Sequence, residues 1–185
     1  MAPIADELQF IDRGRILAAQ QREVNPFADE PLVAGFDASE GGSAWNVIRF
    51  RRGLDARNVP VPIRLPGEMS RDRNALLAKL SEIMKDERPA SKVAMLFVDS
   101  AYGTPYVERL HLLGYKNAVE INFGAASPDR HQANMRAYLW NLQKEWLLRG
   151  AISADDEKPA SDLAGPGFHL KANTNQLVIE SKEHM

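Results

Sequence analysis

The stretch Lys92-Val93-Ala94-Met95-Leu96-Phe97-Val98-Asp99-Ser100-Ala101-Tyr102-Gly103 decides how this chain is read. Its apolar run is too short for an ordinary helix. With no polar alternation it predicts a strand buried on both faces, as parallel strands are. The run stops at an acid, and small residues follow. Upstream, Leu32-Val33-Ala34-Gly35-Phe36-Asp37-Ala38-Ser39-Glu40-Gly41-Gly42 repeats the design: an apolar strand, an aspartate, then small residues and a glycine turn.

Working outward from these two strands, residues 43–52 predict a second strand of a meander, closed by Gly53. Residues 59–65 predict a third, at a sheet edge because Pro60 and Pro62 cannot donate to a ladder. Residues 70–85 carry Leu76, Leu77, Leu80, Ile83 and Met84 at helical spacing, with Ser70 as the expected N-cap and Pro89 as the stop. A helix over 104–113 closed by Gly114, a strand over 118–123 and a long helix over 132–149 follow. The long helix has Met135, Leu139, Leu142 and Trp146 on one stripe and ends at Gly150. Residues 151–164 read as polar and irregular, and 176–180 as a last short strand. Before all this, residues 12–23 predict a short helix with Ile16 and Leu17 on one face. A meander followed by alternating strands and helices gives an α/β fold, a mixed β-sheet with helices on both faces. The expected organisation is a linker or lead-in over 1–30 and one domain over 31–185.

Composition bounds the chemistry. The 185 residues are 44% hydrophobic and 26% charged, ordinary values for a folded domain. No run approaches the roughly 18 apolar residues of a membrane helix, and the first ten residues lack the basic start of a secretory signal. Cysteine is absent, which removes disulfides, thiol nucleophiles and cysteine metal sites. The formal net charge is −2, so any DNA contact rests on a local patch rather than on a basic surface.

Two aspartates at adjacent strand ends of such a sheet would meet in one crevice. Ionised together they repel, and a divalent cation relieves that by binding both. Oxygen donors without cysteine or a histidine pattern favour Mg2+ or Mn2+ over zinc. Two such ions, roughly 3.5–4 Å apart, suit in-line phosphodiester hydrolysis. Taken singly, either aspartate also fits a helix cap or an Asx turn.

The order and spacing of the motifs resemble the nuclease domain of tailed-phage terminase large subunits. The resemblance runs from Leu32–Gly42 and Val47-Ile-Arg-Phe-Arg-Arg-Gly53 through Phe97-Val-Asp99-Ser-Ala-Tyr-Gly103 and Val107-Glu-Arg-Leu. It continues through Val119-Glu-Ile-Asn-Phe-Gly124, Asn134-Met-Arg-Ala137, Trp140 and Gly150-Ala-Ile to Asp162-Leu and Leu177-Val-Ile-Glu-Ser-Lys-Glu183. It implies an RNase H-like fold and two-metal cleavage of concatemeric double-stranded DNA, with Asp37 and Asp99 as catalytic metal ligands. It implies as partners an ATPase domain, the small terminase subunit and the portal protein, in the cytoplasm of a bacterial host. No Gly-x-x-x-x-Gly-Lys-Ser/Thr loop occurs, so no motor is expected here. The family's third acid comes from a Ser-Pro-Asp-x-x-Asp-Ala segment just after the region matching Glu180–Glu183. The sequence stops at Met185, so the expectation is an incomplete site with little or no cleavage. Ser43, Ala44 and Trp45 stand where many members carry a further Asp. The alternatives are a catalytically inactive RNase H-like module docking to DNA or portal, and another RNase H-like nuclease of the resolvase or transposase type.

Secondary candidates follow. Glu40 fits a water-mediated metal contact or a solvated turn. Asp155 and Asp156 fit a solvated loop better than a replacement acid. Glu180 and Glu183 approach the site only if the last strand joins the sheet. Lys182, Arg136 and Arg51 are the candidate DNA contacts, Arg51 within the basic run Arg49, Arg51, Arg52. His111, His131, His169 and His184 show no metal-ligand spacing. Trp45, Trp140 and Trp146 read as core or interface residues.

Overall fold

The Gly41–Gly42 pair lets the chain reverse after Asp37, since φ is +133° and +64° there, values open to glycine. Strand β1 (Leu32–Asp37) therefore folds back on β2 (Trp45–Arg52) as an antiparallel pair in which Asp37 faces Val47 and Gly35 faces Arg49. This computed structural model describes residues 9–25, 29–155 and 157–180. A two-residue strand β3 (Asp55–Ala56) and an edge strand β4 (Ile63–Pro66) pair with opposite ends of β2. Pro60 and Pro62 lie outside β4, which is why the expected strand over 59–65 is shorter. Two parallel strands complete this part: β5 (Val93–Asp99) beside β1, and β6 (Ala118–Ile121) beside β5. The order β6-β5-β1-β2, with β3 and β4 beyond, is the expected mixed sheet.

The contacts divide the chain into two compact units, one spanning Pro26–Asn122 and the other Met1–Asn25 with Phe123–Met185. In the first unit, α2 (Arg73–Lys85) and α3 (Ser100–Leu112) pack on one face of the sheet. Leu32, Ala34, Phe36, Ile48 and Phe50 meet Leu76, Leu80, Leu96, Val98, Val107 and Leu110 there. Each large aliphatic side chain so buried contributes about 1.5–3 kcal/mol. Phe36 and Tyr106 pack edge to face at 5.6 Å.

Several local expectations change. Helix α2 is capped by Asp72, which accepts from the amides of Asn74 and Ala75, and not by Ser70, which lies in a 3-10 turn at Gly67–Arg71. Helix α3 starts at Ser100, four residues early, because Asp99 accepts from the Ala101 amide and caps it. Pro105 sits inside α3. The helix ends as expected at Gly114 (φ +96°), whose amide donates to His111 O while that of Tyr115 donates to Leu110 O. Strand β5 is not buried on both faces, since Ala94 and Phe97 are exposed.

The second unit holds α1 (Arg13–Gln21), α4 (Met135–Trp146), β7 (Ala151–Ile152), α5 (Glu157–Ala164), β8 (Phe168–Leu170) and β9 (Leu177–Ile179). Asp12 caps α1 by accepting from Arg15 N. In that helix Ile16 and Ala19 are buried and Leu17 is exposed, so the expected Ile16–Leu17 face is corrected. Arg22 ties the end of this segment to Leu147 O and Gly150 O. Helix α4 buries Ala137 and leaves Leu142 exposed, with the buried Leu147 just beyond its end. The segment read as irregular contains α5. Pro159 lies in its first turn, where an amide has no helical acceptor, and Lys158 pairs with Asp162 at 3.6 Å. Strand β9 pairs with β8, which the sequence did not reveal.

Gly103 lies where α3 crosses β5. An added Cβ would stand 2.2 Å from Val98 Cγ1. Alanine normally stabilises a helix interior by about 0.5–1 kcal/mol over glycine. Here Gly103→Ala is expected to destabilise by about 1–3 kcal/mol in urea unfolding. Combining it with Val98→Ala should recover part of that loss, and strict additivity of the two would contradict the contact.

Candidate metal centre at the ends of two parallel strands

Strand β1 and β5 run parallel, and their last paired residues are Phe36 and Val98. One residue further on, the two strands end side by side in Asp37 and Asp99. Neighbouring strands lie roughly 4.8 Å apart, so the two aspartates stand side by side at one end of the sheet. Phe36 and Val98 point into the core. Alternation therefore puts both aspartates on the opposite face, with Asp37 exposed and Asp99 half-buried.

That agreement of face depends on a register shift. Leu32 pairs with Val93 but Val33 pairs with Met95, so β5 carries an extra residue near Ala94. Without it, odd-numbered residues of β5 would stay on the core face and Asp99 would point there. The shift moves Leu96 and Val98 into the core and Asp99 out beside Asp37.

The loops behind both aspartates are tied down. Asn46 is 1% exposed. Its Oδ1 accepts from the Ser39 amide, and its Nδ2 donates to Pro66 O and Ser70 Oγ. Ser70 Oγ also lies 3.0 Å from Ser39 Oγ. On the other side, Asp99 Oδ1 receives the Ala101 amide at 3.1 Å, and the N-terminus of α3 favours a negative charge there. A carboxylate offers about four lone-pair positions, so capping and cation binding are compatible. The two loops meet where Tyr102 OH donates to Glu40 Oε2 at 3.1 Å. Sequence reasoning missed Tyr102 and Asn46. Glu40 and Tyr102 each stand three residues beyond an aspartate, and that equal offset was the available signal.

The donor set is all oxygen, which fits a hard divalent cation. Among the described residues no group of three or more histidines, cysteines or acids is placed to hold a metal.

The remaining candidates are placed as follows. Arg51 and Arg49 face Val33 and Gly35 and so share the face of Asp37, Arg51 being exposed. Arg52 instead donates to Glu30 O, Pro89 O and Ala90 O, a structural clamp. Arg136 ties the start of α4 to Glu180 O at 3.0 Å, and its amide donates to Phe123 O. Glu180 follows β9, whose partner is β8. Asp155 lies in an exposed turn, its amide on Ser153 Oγ. Lys182, Glu183, His184 and Asp156 lie outside the described residues. His131 Nδ1 lies 2.9 Å from Asp129 in an exposed turn, and His111 Nε2 lies 2.7 Å from Ala118 O. Trp45 is 53% exposed and so is not a core residue, whereas Trp140 and Trp146 are half-buried.

Solved structures show the same chain path. The nuclease domain of the large terminase subunit gp2 of bacterial virus Sf6 superposes with a TM-score of 0.67 at 12% identity, covering 95% of this chain and 89% of that one. This is the fold of terminase nucleases. A mutant of the Sf6 domain with manganese and beta-thujaplicinol gives 0.65 at 15% identity, over 95% and 89% of the two chains. The large terminase nuclease from thermophilic phage G20c with bound magnesium gives 0.53 at 15% identity, over 96% and 85%. No family model and no curated protein matches the sequence. The terminase-nuclease fold is thus shared at an identity where only the fold follows. No helix among the described residues is long and apolar enough to cross a membrane.

The Tyr102–Glu40 contact makes a pH prediction. The hydrogen bond to Glu40, then the charge of that carboxylate, raises the Tyr102 phenol above its ordinary value of 10.0. A raised folded-state value means the contribution is whole below pH 10.0 and is lost as pH rises through the raised value. Ultraviolet difference titration should therefore show one tyrosine ionising at lower pH in Glu40→Ala than in the unaltered chain. Identical curves would break the contact.

Proposed function

We propose that this chain is a metal-dependent DNA endonuclease of the kind carried by phage packaging terminases. The observation that carries the reading is the side-by-side ending of β1 and β5 in Asp37 and Asp99, on one face of the sheet. A fold shared with terminase nuclease domains, one of them with manganese and one with magnesium, supports it.

Asp37 and Asp99 would hold Mg2+ or Mn2+, with two ions in an intact site. A bound divalent cation supplies charge neutralisation at the scissile phosphate and acidifies the attacking water. In the hydrolysis, the water oxygen would bond to phosphorus and release a proton to solvent, the P–O3′ bond would break and the leaving oxygen would take up a proton from solvent. Asp99 Oδ1 accepts the Ala101 amide at the start of α3, and the carboxylate has further lone pairs to offer a cation. The Tyr102–Glu40 contact holds the two aspartate loops at a set separation. Arg51 and Arg49 on the same face would meet backbone phosphates, which position DNA without reading sequence. Lys182 remains a DNA contact implied by the motif resemblance. Arg136, engaged with Glu180 O, serves the packing of its own unit.

The substrate in this reading is concatemeric double-stranded phage DNA in the cytoplasm of a bacterial host. The partners are the terminase ATPase domain, the small subunit and the portal, as the motif resemblance implies. One observation favours a second reading, a module that docks to DNA without cutting it. Among the described residues no group of three or more histidines, cysteines or acids is placed to hold a metal.

Two measurements decide. Supercoiled plasmid incubated with the protein and Mn2+ should be nicked at a low rate, and Asp37→Ala or Asp99→Ala should slow that nicking on the order of 10²-fold with an unchanged circular dichroism spectrum. Equal nicking by Asp37→Ala removes the proposed site. DNA binding without nicking at saturating Mn2+ favours the docking module, and cutting confined to branched DNA or RNA–DNA hybrids favours the resolvase type. By calorimetry, Mn2+ should bind with an affinity of roughly millimolar order, as expected for few charged ligands, and bind more weakly to Asp37→Asn.

A further inference from the structure

Trp45 is the exposed aromatic that the core does not explain. Along β2 the residues Asn46, Ile48 and Phe50 are buried, while Trp45, Val47, Arg49 and Arg51 lie on the other face. That face is the one carrying Asp37, because Asp37 pairs with Val47. Trp45 is two residues further along β2, so it stands diagonally from Asp37. Such neighbours are roughly 7–8 Å apart, within reach of a large ring. The indole is 53% exposed there, opposite the exposed Pro66.

A single exposed apolar residue is ordinary on a protein surface. What distinguishes Trp45 is that the backbone on both sides is clamped. On one side, the Ala44 carbonyl sits so close to Gly67 that a Cβ on Gly67 would meet it at 2.2 Å. On the other, Asn46 is buried and bonded to Ser39 N, Pro66 O and Ser70 Oγ. The ring is therefore presented from a rigid backbone, and little conformational entropy is lost when something packs on it. On that face Asp37 is its diagonal neighbour, and the cations Arg49 and Arg51 follow four and six residues on, roughly 13 and 20 Å down the strand. Cations with an exposed aromatic are the combination that holds a nucleic-acid strand, the cations on phosphates and the ring on a base.

We infer that Trp45 is a stacking platform for an unpaired base of the strand held at the carboxylate pair. This rests on the nuclease reading of Asp37 and Asp99 and adds a preference to it. The site takes DNA that is locally opened beside the scissile bond, because a base inside an intact duplex offers no free face to the indole. Trp45 contacts the substrate without taking part in bond breaking.

The test uses the full chain and two probes, an oligothymidylate single strand and a blunt duplex of equal length, both fluorescein-labelled. Base–aromatic stacking is sequence-tolerant, and its removal should weaken single-strand binding about tenfold. Trp45→Ala is expected to show that loss by anisotropy, with a smaller change for the duplex, and Trp45→Phe should keep most of the affinity. In the chain labelled with 5-fluorotryptophan, the 19F resonance that Trp45→Phe removes should move when oligothymidylate is added. Single-strand binding by Trp45→Ala equal to that of the unaltered chain overturns the inference. So does a Trp45 resonance that stays still while DNA binds, or a chain that binds neither probe. Loss of nicking in Asp37→Ala with oligothymidylate binding kept separates the two readings. If instead Asp37→Ala nicks normally while Trp45→Ala loses the strand, the nuclease assignment falls and the stacking site stands.

Discussion

The parallel pairing of β1 with β5, with its one-residue shift near Ala94, is the constraint on which the rest depends. Phe36 and Val98 enter the core together because of it, and that shared burial locks the register. Sliding β5 back by one residue would expose Leu96 and Val98 and bury the Asp99 carboxylate. Each aliphatic side chain lost costs a few kcal/mol, and an unpaired buried charge costs more, so the observed register has no close competitor. The geometry of the candidate site is a by-product of hydrophobic burial one residue earlier in each strand.

Around that strand end, buried and capping hydrogen bonds set position. Asn46 binds the Ser39 loop to the Gly67–Arg71 turn from within the core, and Asp99 caps α3 while ending β5. The close approach of Gly103 to Val98 lets α3 begin at once, so the strand end and the helix start share one aspartate. Away from the site, Lys79 pairs with Glu82 on α2 and Arg88 with Asp86 in the turn after it.

The likeness to terminase nuclease structures at 12–15% identity shows how little of a sequence such a sheet needs to keep. Trp45, at the start of β2, presents an indole on a clamped backbone.

Much of the fold was legible in the residues. The runs before Asp37 and Asp99, the glycine pair at 41–42, the leucine spacing over 73–85 and the stop at Gly114 each express a local rule of periodicity or backbone freedom, and all hold in the structure. The helix at Glu157–Ala164 and the strand Phe168–Leu170 were not legible, because short elements draw their stability from partners distant in sequence. The residue types at the candidate site were written in the chain. Their common face was not, since it turns on a one-residue shift that no periodicity reveals. Tertiary structure alone decided that Arg52 and Arg136 hold backbone carbonyls, that Trp45 lies outside the core and that β9 pairs with β8. Sequence sets which residues want burial and which turns are cheap. Only the packed chain settles which groups burial leaves side by side.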